Sequence, residues 1–333
     1  MREMAAMHRR SFIAAALGSA SVLGDTAQAR APRTRLHTGA ALAFGTTVAV
    51  TVRHQDERVA RRAIDAALAA VGRIQRLMSI YDPGSEVFRL NRDGVLGAPA
   101  PELLAVLRHA RDLSQLTKGA FDITVQPLWQ VCRQAFGQGR PPSAAERERA
   151  RALVGWRQVE ASPERVQLRK RGMRITLNGL AQGYAADLAL RALRQHGVAH
   201  ALLDTGEFAS SGAAQDRPWA LGVPDPRAPG RLAASFALDG RSVATSGDYE
   251  AAFTHDFVHH HIFDPATGSS PADLASVTVL APTALEADGL STAFMVMGAR
   301  CAHSLAARLG GVDVLTIDKR GQAWRSPGFP ESL

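Results

Sequence analysis

Asn178-Gly179-Leu180-Ala181-Gln182-Gly183-Tyr184-Ala185-Ala186-Asp187 lies where one sequence pattern gives way to another. Upstream, Arg174-Ile-Thr-Leu177 alternates as a strand does. Downstream, Tyr184 to Arg194 carries helical spacing, closed by Gly197. A glycine-bearing strand-to-helix turn lets an anion approach backbone N–H groups and the positive helix end. Many glycine turns serve packing alone, so this stretch takes its meaning from its neighbours.

Outward from the turn, Val166 to Leu177 reads as a hairpin turning near Gly172. Ala40 to Arg53 reads as one strand, with Thr46, Val48, Val50 and Val52 on one face. Glu57 to Met78 is a helix by the steps of Ile64, Leu68, Val71, Ile74 and Met78. A second helix spans Pro101 to Lys118, and a polar one spans Ala144 to Leu153 after the loop 138–143. Strands are predicted at Ala199–Leu203, Trp219–Val223, Ala233–Leu238, His259–Phe263 and Val277–Ala281. Helices at Ala284–Met297 and Cys301–Leu309 precede a last hairpin, Val312–Ile317 with Ala323–Arg325. The mixture lacks a strict βαβ rhythm, which predicts an α+β fold of mixed or antiparallel sheets with packed helices.

The N-terminus has a separate job. His8-Arg9-Arg10-Ser11-Phe12-Ile13 precedes an apolar run from Ala14 to Gly24, and Ala27-Gln28-Ala29 offers a small-residue cleavage site. This predicts a twin-arginine signal peptide over 1–29, periplasmic export, and a single domain over 30–333. The apolar run is too short to cross a bilayer, and no transmembrane helix is expected in the mature chain. The net charge of +8 reads as a solvated basic surface that also attracts anions. Aromatics make up 6% of the chain and no basic cluster interleaves with them, which argues against nucleic-acid binding. Cys132 and Cys301 are not spaced as metal ligands; spacing leaves both a disulfide and two free thiols open.

Other short motifs accompany the glycine turn in order. They are Phe44-Gly-Thr46, Met78-Ser-Ile-Tyr-Asp82 with Ser85-Glu86 and Leu90-Asn91, and Gly119-Ala-Phe-Asp-Ile-Thr124. Beyond the turn stand Leu203-Asp-Thr-Gly-Glu207, Ala244-Thr-Ser-Gly-Asp-Tyr249, His261-Ile-Phe-Asp-Pro-Ala-Thr-Gly268 and Ala287-Asp-Gly-Leu-Ser-Thr292. Together they resemble the FAD:protein FMN transferases, the ApbE-type flavin transferases, over most of the chain. The resemblance implies an ApbE-like flavin transferase fold and a Mg²⁺-dependent enzyme. Its substrates would be FAD and the Thr or Ser hydroxyl of an acceptor flavoprotein, with release of AMP.

Asp288 and Thr292 fall four apart in a predicted helix, on one face, and their oxygens suit a hard cation. The resemblance makes them Mg²⁺ ligands together with the Gly179 carbonyl. It sets His261 near the diphosphate, where an imidazole can orient or deprotonate the attacking hydroxyl; a structural histidine bonded to Asp264 is the alternative. His255, His259, His260 and His261 lack the Cys or carboxylate that a zinc set would add. Flavin contacts carry over to Phe44, Tyr81, Ala120, Phe121, Asp122 and Ile262, with ordinary core as the alternative for Phe44, Phe121 and Ile262. Asp122 is the expected acceptor for ribose or adenine.

Two positions depart from the family pattern Asp-Leu-Gly-Gly-Ile-Ala-Lys-Gly-Tyr. Thr176 replaces the acid and Gln182 the lysine, which reads as a salt bridge exchanged for neutral hydrogen bonds beside the substrate. The Asn-Gly-Leu-Ala-Gln-Gly form with a twin-arginine signal is similar to the NosX-type branch serving nitrous-oxide respiration, whose acceptor is a membrane-bound flavoprotein. Two other functions compete with transfer. One is hydrolysis of FAD to FMN and AMP at the same site, and the other is non-catalytic FAD binding.

Overall fold

A computed structural model describes residues 34–333; the expected signal peptide lies outside the described residues. In chain order the elements are β1 (Arg35–Ala43), β2 (Thr46–His54), α1 (Glu57–Met78), α2 (Glu86–Asp93), β3 (Val95–Gly97) and α3 (Pro101–Leu116). Then come α4 (Gln126–Gly137), α5 (Ala144–Arg151), β4 (Val159–Ala161), β5 (Arg165–Leu168) and α6 (Ala181–Gln195). The C-terminal half holds β6 (His200–Asp204), β7 (Phe208–Ser211), β8 (Ala220–Pro224), β9 (Leu232–Ala237) and β10 (Ser242–Gly247). It ends with β11 (Leu274–Ala281), α7 (Ala284–Ala306), β12 (Asp313–Asp318) and β13 (Ala323–Arg325).

An eight-stranded sheet runs β1-β2-β6-β7-β10-β11-β12-β13, and every pairing in it is antiparallel. Small sheets of β3-β5-β4 and β8-β9 stand beside it. The α+β expectation therefore holds. Helices α1, α6 and α7 pack together over the large sheet, and β8–β9 contributes to a second core with Phe208, Leu280 and Leu315. Strand β11 is buried at all eight positions. Val277, Val279 and Ala281 enter the helix-side core, while Leu280 enters the other. A strand covered on both faces reads as a nearly continuous apolar run, here broken only by the buried Ser276 and Thr278.

Sequence expectation and structure part at three places. Ala40–Arg53 is a hairpin and not one strand: Phe44 and Gly45 both take positive φ, 54° and 76°, as a tight two-residue turn requires. The second arm of the predicted 166–177 hairpin joins no ladder. Ile175 is bonded instead to the Asn91 side chain, its N–H donating to Oδ1 at 2.7 Å and its carbonyl accepting from Nδ2 at 2.8 Å. The alternation is still visible as burial of Met173, Ile175 and Leu177. The predicted strand at His259–Phe263 is a run of turns and isolated bridges, because Asp256 and Asp264 bond back to nearby backbone.

Both cysteines are free. Cys132 is buried with Leu128, Ala150 and Phe263, and burial pushes its thiol up to about 11. Cys301 is exposed on α7, beyond the kink at Gly298 where φ is 74° and ψ is 165°.

Helices α6 and α7 hold each other by their ends. Asp187 of α6 accepts from the N–H groups of Ala284 (2.8 Å) and Leu285 (3.0 Å), and Asp288 of α7 accepts from the Gly183 N–H at 3.0 Å. The approach requires glycine. A Cβ on Gly183 would stand 2.2 Å from the Ala284 carbonyl oxygen and 2.8 Å from Asp288 Cβ. Gly183→Ala should therefore lower stability by about 1–3 kcal/mol, the usual range for overpacking. A urea melt yielding the wild-type midpoint would disprove this contact.

Candidate functional site

The α6–α7 junction forms one end of a cavity of about 440 Å³, within the range of small-molecule sites. Its wall brings together widely separated segments: Thr46 and Thr47, Ala120 to Ile123, Thr176 to Gln182, Asp204 to Glu207, Thr245 and Ser246, and His261 to Phe263. From α7 come Asp288 and Thr292. Of the sequence-predicted residues, Ala120, Phe121, Asp122, Thr176, Gly179, Gln182, His261, Ile262, Asp288 and Thr292 all line this space.

Two expected flavin contacts do not line it. Phe44 sits in the β1–β2 turn, donates its N–H to Gln75 Oε1 at 2.9 Å and leans on the main core. Tyr81 is 62% exposed, although Ile80 beside it does line the cavity. Asp122 reaches the wall but is engaged inward. Its Oδ1 accepts from the Thr124 N–H (2.8 Å) and hydroxyl (2.6 Å), and its Oδ2 accepts from the Trp156 N–H (2.9 Å). It caps a helical turn, a role different from the expected ribose acceptor, and burial raises its carboxyl above the ordinary range.

The glycine turn also differs from an open phosphate loop. The N–H groups of Leu180 and Ala181 donate to the Leu177 carbonyl (2.9 and 2.8 Å), and the Gly183 N–H goes to Asp288. Its glycines serve close approach: a Cβ on Gly179 would stand 2.8 Å from Thr292 Oγ1. Gln182, 5% exposed, is bonded to the turn that leaves β6. Its Nε2 donates to the Thr205 carbonyl (2.6 Å), and the Thr205 hydroxyl donates to the Gln182 carbonyl (3.2 Å).

Around Asp288 the donors are oxygens. Asp288 is buried at 3% exposure, Thr292 Oγ1 lies 3.3 Å from Ser246 Oγ, and Ser246 Oγ lies 2.8 Å from Ser291 Oγ. Among the described residues no three His, Cys, Asp or Glu side chains gather around one point. One carboxylate with hydroxyl oxygens near it is a donor set compatible with Mg²⁺, which binds few protein ligands and completes its shell with water and phosphate oxygens. Among the charged groups of the wall acids prevail: Asp122, Asp204, Glu207, Asp225 and Glu250 line it with Asp288. Burial raises Asp204 too, while its Oδ1 accepts from the Gly206 N–H at 3.0 Å. A diphosphate entering such a wall needs a counter-cation.

His261 lines the cavity, and its backbone N–H donates to the Ala251 carbonyl at 3.1 Å. Asp264, the alternative partner for its ring, is engaged within its own turn by the Ala266 N–H (2.9 Å) and the Thr267 hydroxyl (3.0 Å). Asp204, Glu207, Ser246 and Tyr249 also line the cavity and belong to the sequence motifs, although motif pattern alone assigns them no role. Trp129, Arg227 and Phe257 line it too but lie outside every motif, so no sequence signal marks them.

The chain is similar in sequence and fold to known proteins. Residues 44–316 match the model of the ApbE family. The chain is 34% identical over 275 residues to the FAD:protein FMN transferase of Salmonella typhimurium, covering 77% of this chain and 78% of that protein. Its fold matches the crystal structure of the ApbE protein of Thermotoga maritima with a TM-score of 0.79 at 31% identity, over 88% of this chain and 97% of that one. It matches the flavin transferase ApbE of Vibrio cholerae with a TM-score of 0.76 at 27% identity, over 89% and 99%. The α+β fold is thus that of solved flavin transferases. The chain belongs to the ApbE family.

Next to the cavity, His260 is fully buried with its Nε2 at 3.2 Å from the Pro271 carbonyl. Burial, with Lys319 nearby, pushes its imidazole down to about 4. The unfolded chain takes up that proton near pH 6.5 and the folded chain only near 4. Stability should therefore be full above pH 6.5 and fall as pH drops towards 4, by about 3 kcal/mol at most from this residue. Urea midpoints at pH 7 and pH 5 check it: the difference should shrink in His260→Gln, and an equal difference in both proteins would contradict it.

Proposed function

We propose that this chain transfers the FMN moiety of FAD to a Thr or Ser hydroxyl of an acceptor flavoprotein, releasing AMP. The observation that carries the reading is the buried Asp288 carboxylate lining the same cavity as Thr292, Ser246 and Gly179. Curated relatives carrying the transferase name support it.

Asp288, Thr292 and the Gly179 carbonyl would hold Mg²⁺. Bound there, the ion supplies charge neutralisation for the diphosphate and for the departing phosphate. Phe121 and Ile262 present apolar surface to the flavin, and Gln182 keeps the α6 start docked on the Asp204–Glu207 turn. His261 orients the acceptor hydroxyl and takes its proton. The hydroxyl oxygen bonds to the FMN-side phosphorus, the bond to the AMP oxygen breaks, and AMP leaves. FMN stays on the acceptor as a phosphoester. The nucleophile belongs to the partner, so the chain's own contribution is largely positioning. We place the domain at 30–333, exported to the periplasm by the 1–29 signal, with a membrane-bound acceptor as in the NosX-type branch.

Mass spectrometry of an acceptor incubated with the protein, FAD and Mg²⁺ tests the reaction. The expected gain is FMN minus water, with AMP formed in equal amount; AMP released equally without acceptor would instead establish hydrolysis. Asp288→Ala should abolish transfer while FAD binding, followed by flavin fluorescence, is only weakened. Normal turnover in that variant would refute the metal assignment. His261→Ala should lower kcat by about 10²-fold or more. Unchanged kcat with a lower Tm would leave His261 structural.

A further inference from the structure

Phe257 is an aromatic residue in an unusual place. At the tip of the 253–259 loop its φ is 58°, a left-handed conformation disfavoured for any residue with a Cβ. The loop imposes it. The Phe257 N–H donates to the Thr254 carbonyl at 3.1 Å, and Asp256 Oδ1 accepts from the Val258 N–H at 3.0 Å and from the Thr254 hydroxyl. Glycine would fit this position without strain. Nor does packing explain the ring: Phe257 is only partly buried and belongs to none of the three hydrophobic clusters. It faces the cavity.

Both ends of the residue are held by cations that share one carboxylate. The Arg227 guanidinium lies over the ring, 4.7 Å from its centroid, and the Lys319 ammonium donates to the Phe257 carbonyl at 3.0 Å. Asp248, fully buried, accepts from Arg227 Nη1 (2.9 Å) and Nη2 (2.7 Å) and from Lys319 Nζ. Arg227 is the one Arg or Lys among the described cavity-lining residues. Its two Nη atoms are pinned by Asp248, and a guanidinium so held presents a flat, stackable face more than a mobile phosphate clamp. Strain retained at a cavity wall and over-determined by its surroundings marks function more often than accident.

We infer that Phe257 and Arg227 form a preorganised stacking wall for a planar heteroaromatic ring of the substrate, Phe257 being a specificity-determining residue. The inference rests on the FAD reading of the cavity. FAD carries two such rings, isoalloxazine and adenine, and binding separates them. Calorimetric titration of the full protein with FAD, FMN and ADP in turn, without acceptor, compares wild type with Phe257→Gly and Phe257→Tyr. The glycine variant should melt at or above the wild-type temperature, since strain is relieved. It should bind FAD about ten-fold more weakly, in the range of a lost aromatic stack, and the tyrosine variant should restore binding. A loss shared by FAD and FMN puts isoalloxazine on the wall; a loss shared by FAD and ADP puts adenine there. Wild-type binding of FAD with an unweakened glycine variant overturns the wall and leaves the transferase reading standing. A wild-type protein that binds no FAD overturns both.

Discussion

The clasp between α6 and α7 is the constraint on which the site depends. Each helix lends a carboxylate to the other's first turn: Asp187 to Ala284 and Leu285, Asp288 to Gly183. Helix N-termini leave N–H groups unsatisfied and carry partial positive charge, so each bond offsets burial of an acid and completes a cap. Leu180, at the N-cap of α6, offers no side-chain acceptor, and the partner helix supplies one. Since Asp288 caps α6 while lining the cavity, the scaffold and the candidate metal site share one side chain.

Around that junction the large sheet acts as a frame. β11 is packed on both faces, and α7 lies across β10 and β11. Ser246 on β10 thereby meets Ser291 and Thr292 on α7. The hydroxyl cluster beside Asp288 is thus a consequence of how a helix crosses a sheet. The same crossing brings α7 against the glycine turn, where the missing Cβ of Gly179 leaves room for Thr292.

The cavity is acidic on a chain that is basic as a whole. Its acids are not equivalent. Asp122 and Asp204 are turned to backbone donors and hold turns in shape, with their carboxyls raised by burial. Asp248, deeper still, pairs with both Arg227 and Lys319. A buried carboxylate persists only where donors or cations answer it, which ties the loop at Phe257 to the strands behind it.

Local pattern in the chain sufficed for much of this. The steps of Ile64, Val71, Ile74 and Met78 carry α1 to its ends, because one helix face must be apolar to pack. Gly119, Gly172 and Gly197 mark turns, since all three take positive φ. The motif residues Phe121, Gln182, His261 and Asp288 were legible as a set because a resemblance orders them. Tertiary structure alone decided what they face. Phe44 was drawn into a hairpin turn, Tyr81 was left exposed, Asp122 became a cap, and Arg227 with Phe257 joined the wall without any motif. The physical reason is range. Helical periodicity and turn chemistry act within a few residues, whereas the partners of Gly183 and Arg227 lie 105 and 21 positions away and are chosen only when helices and sheet close on one another.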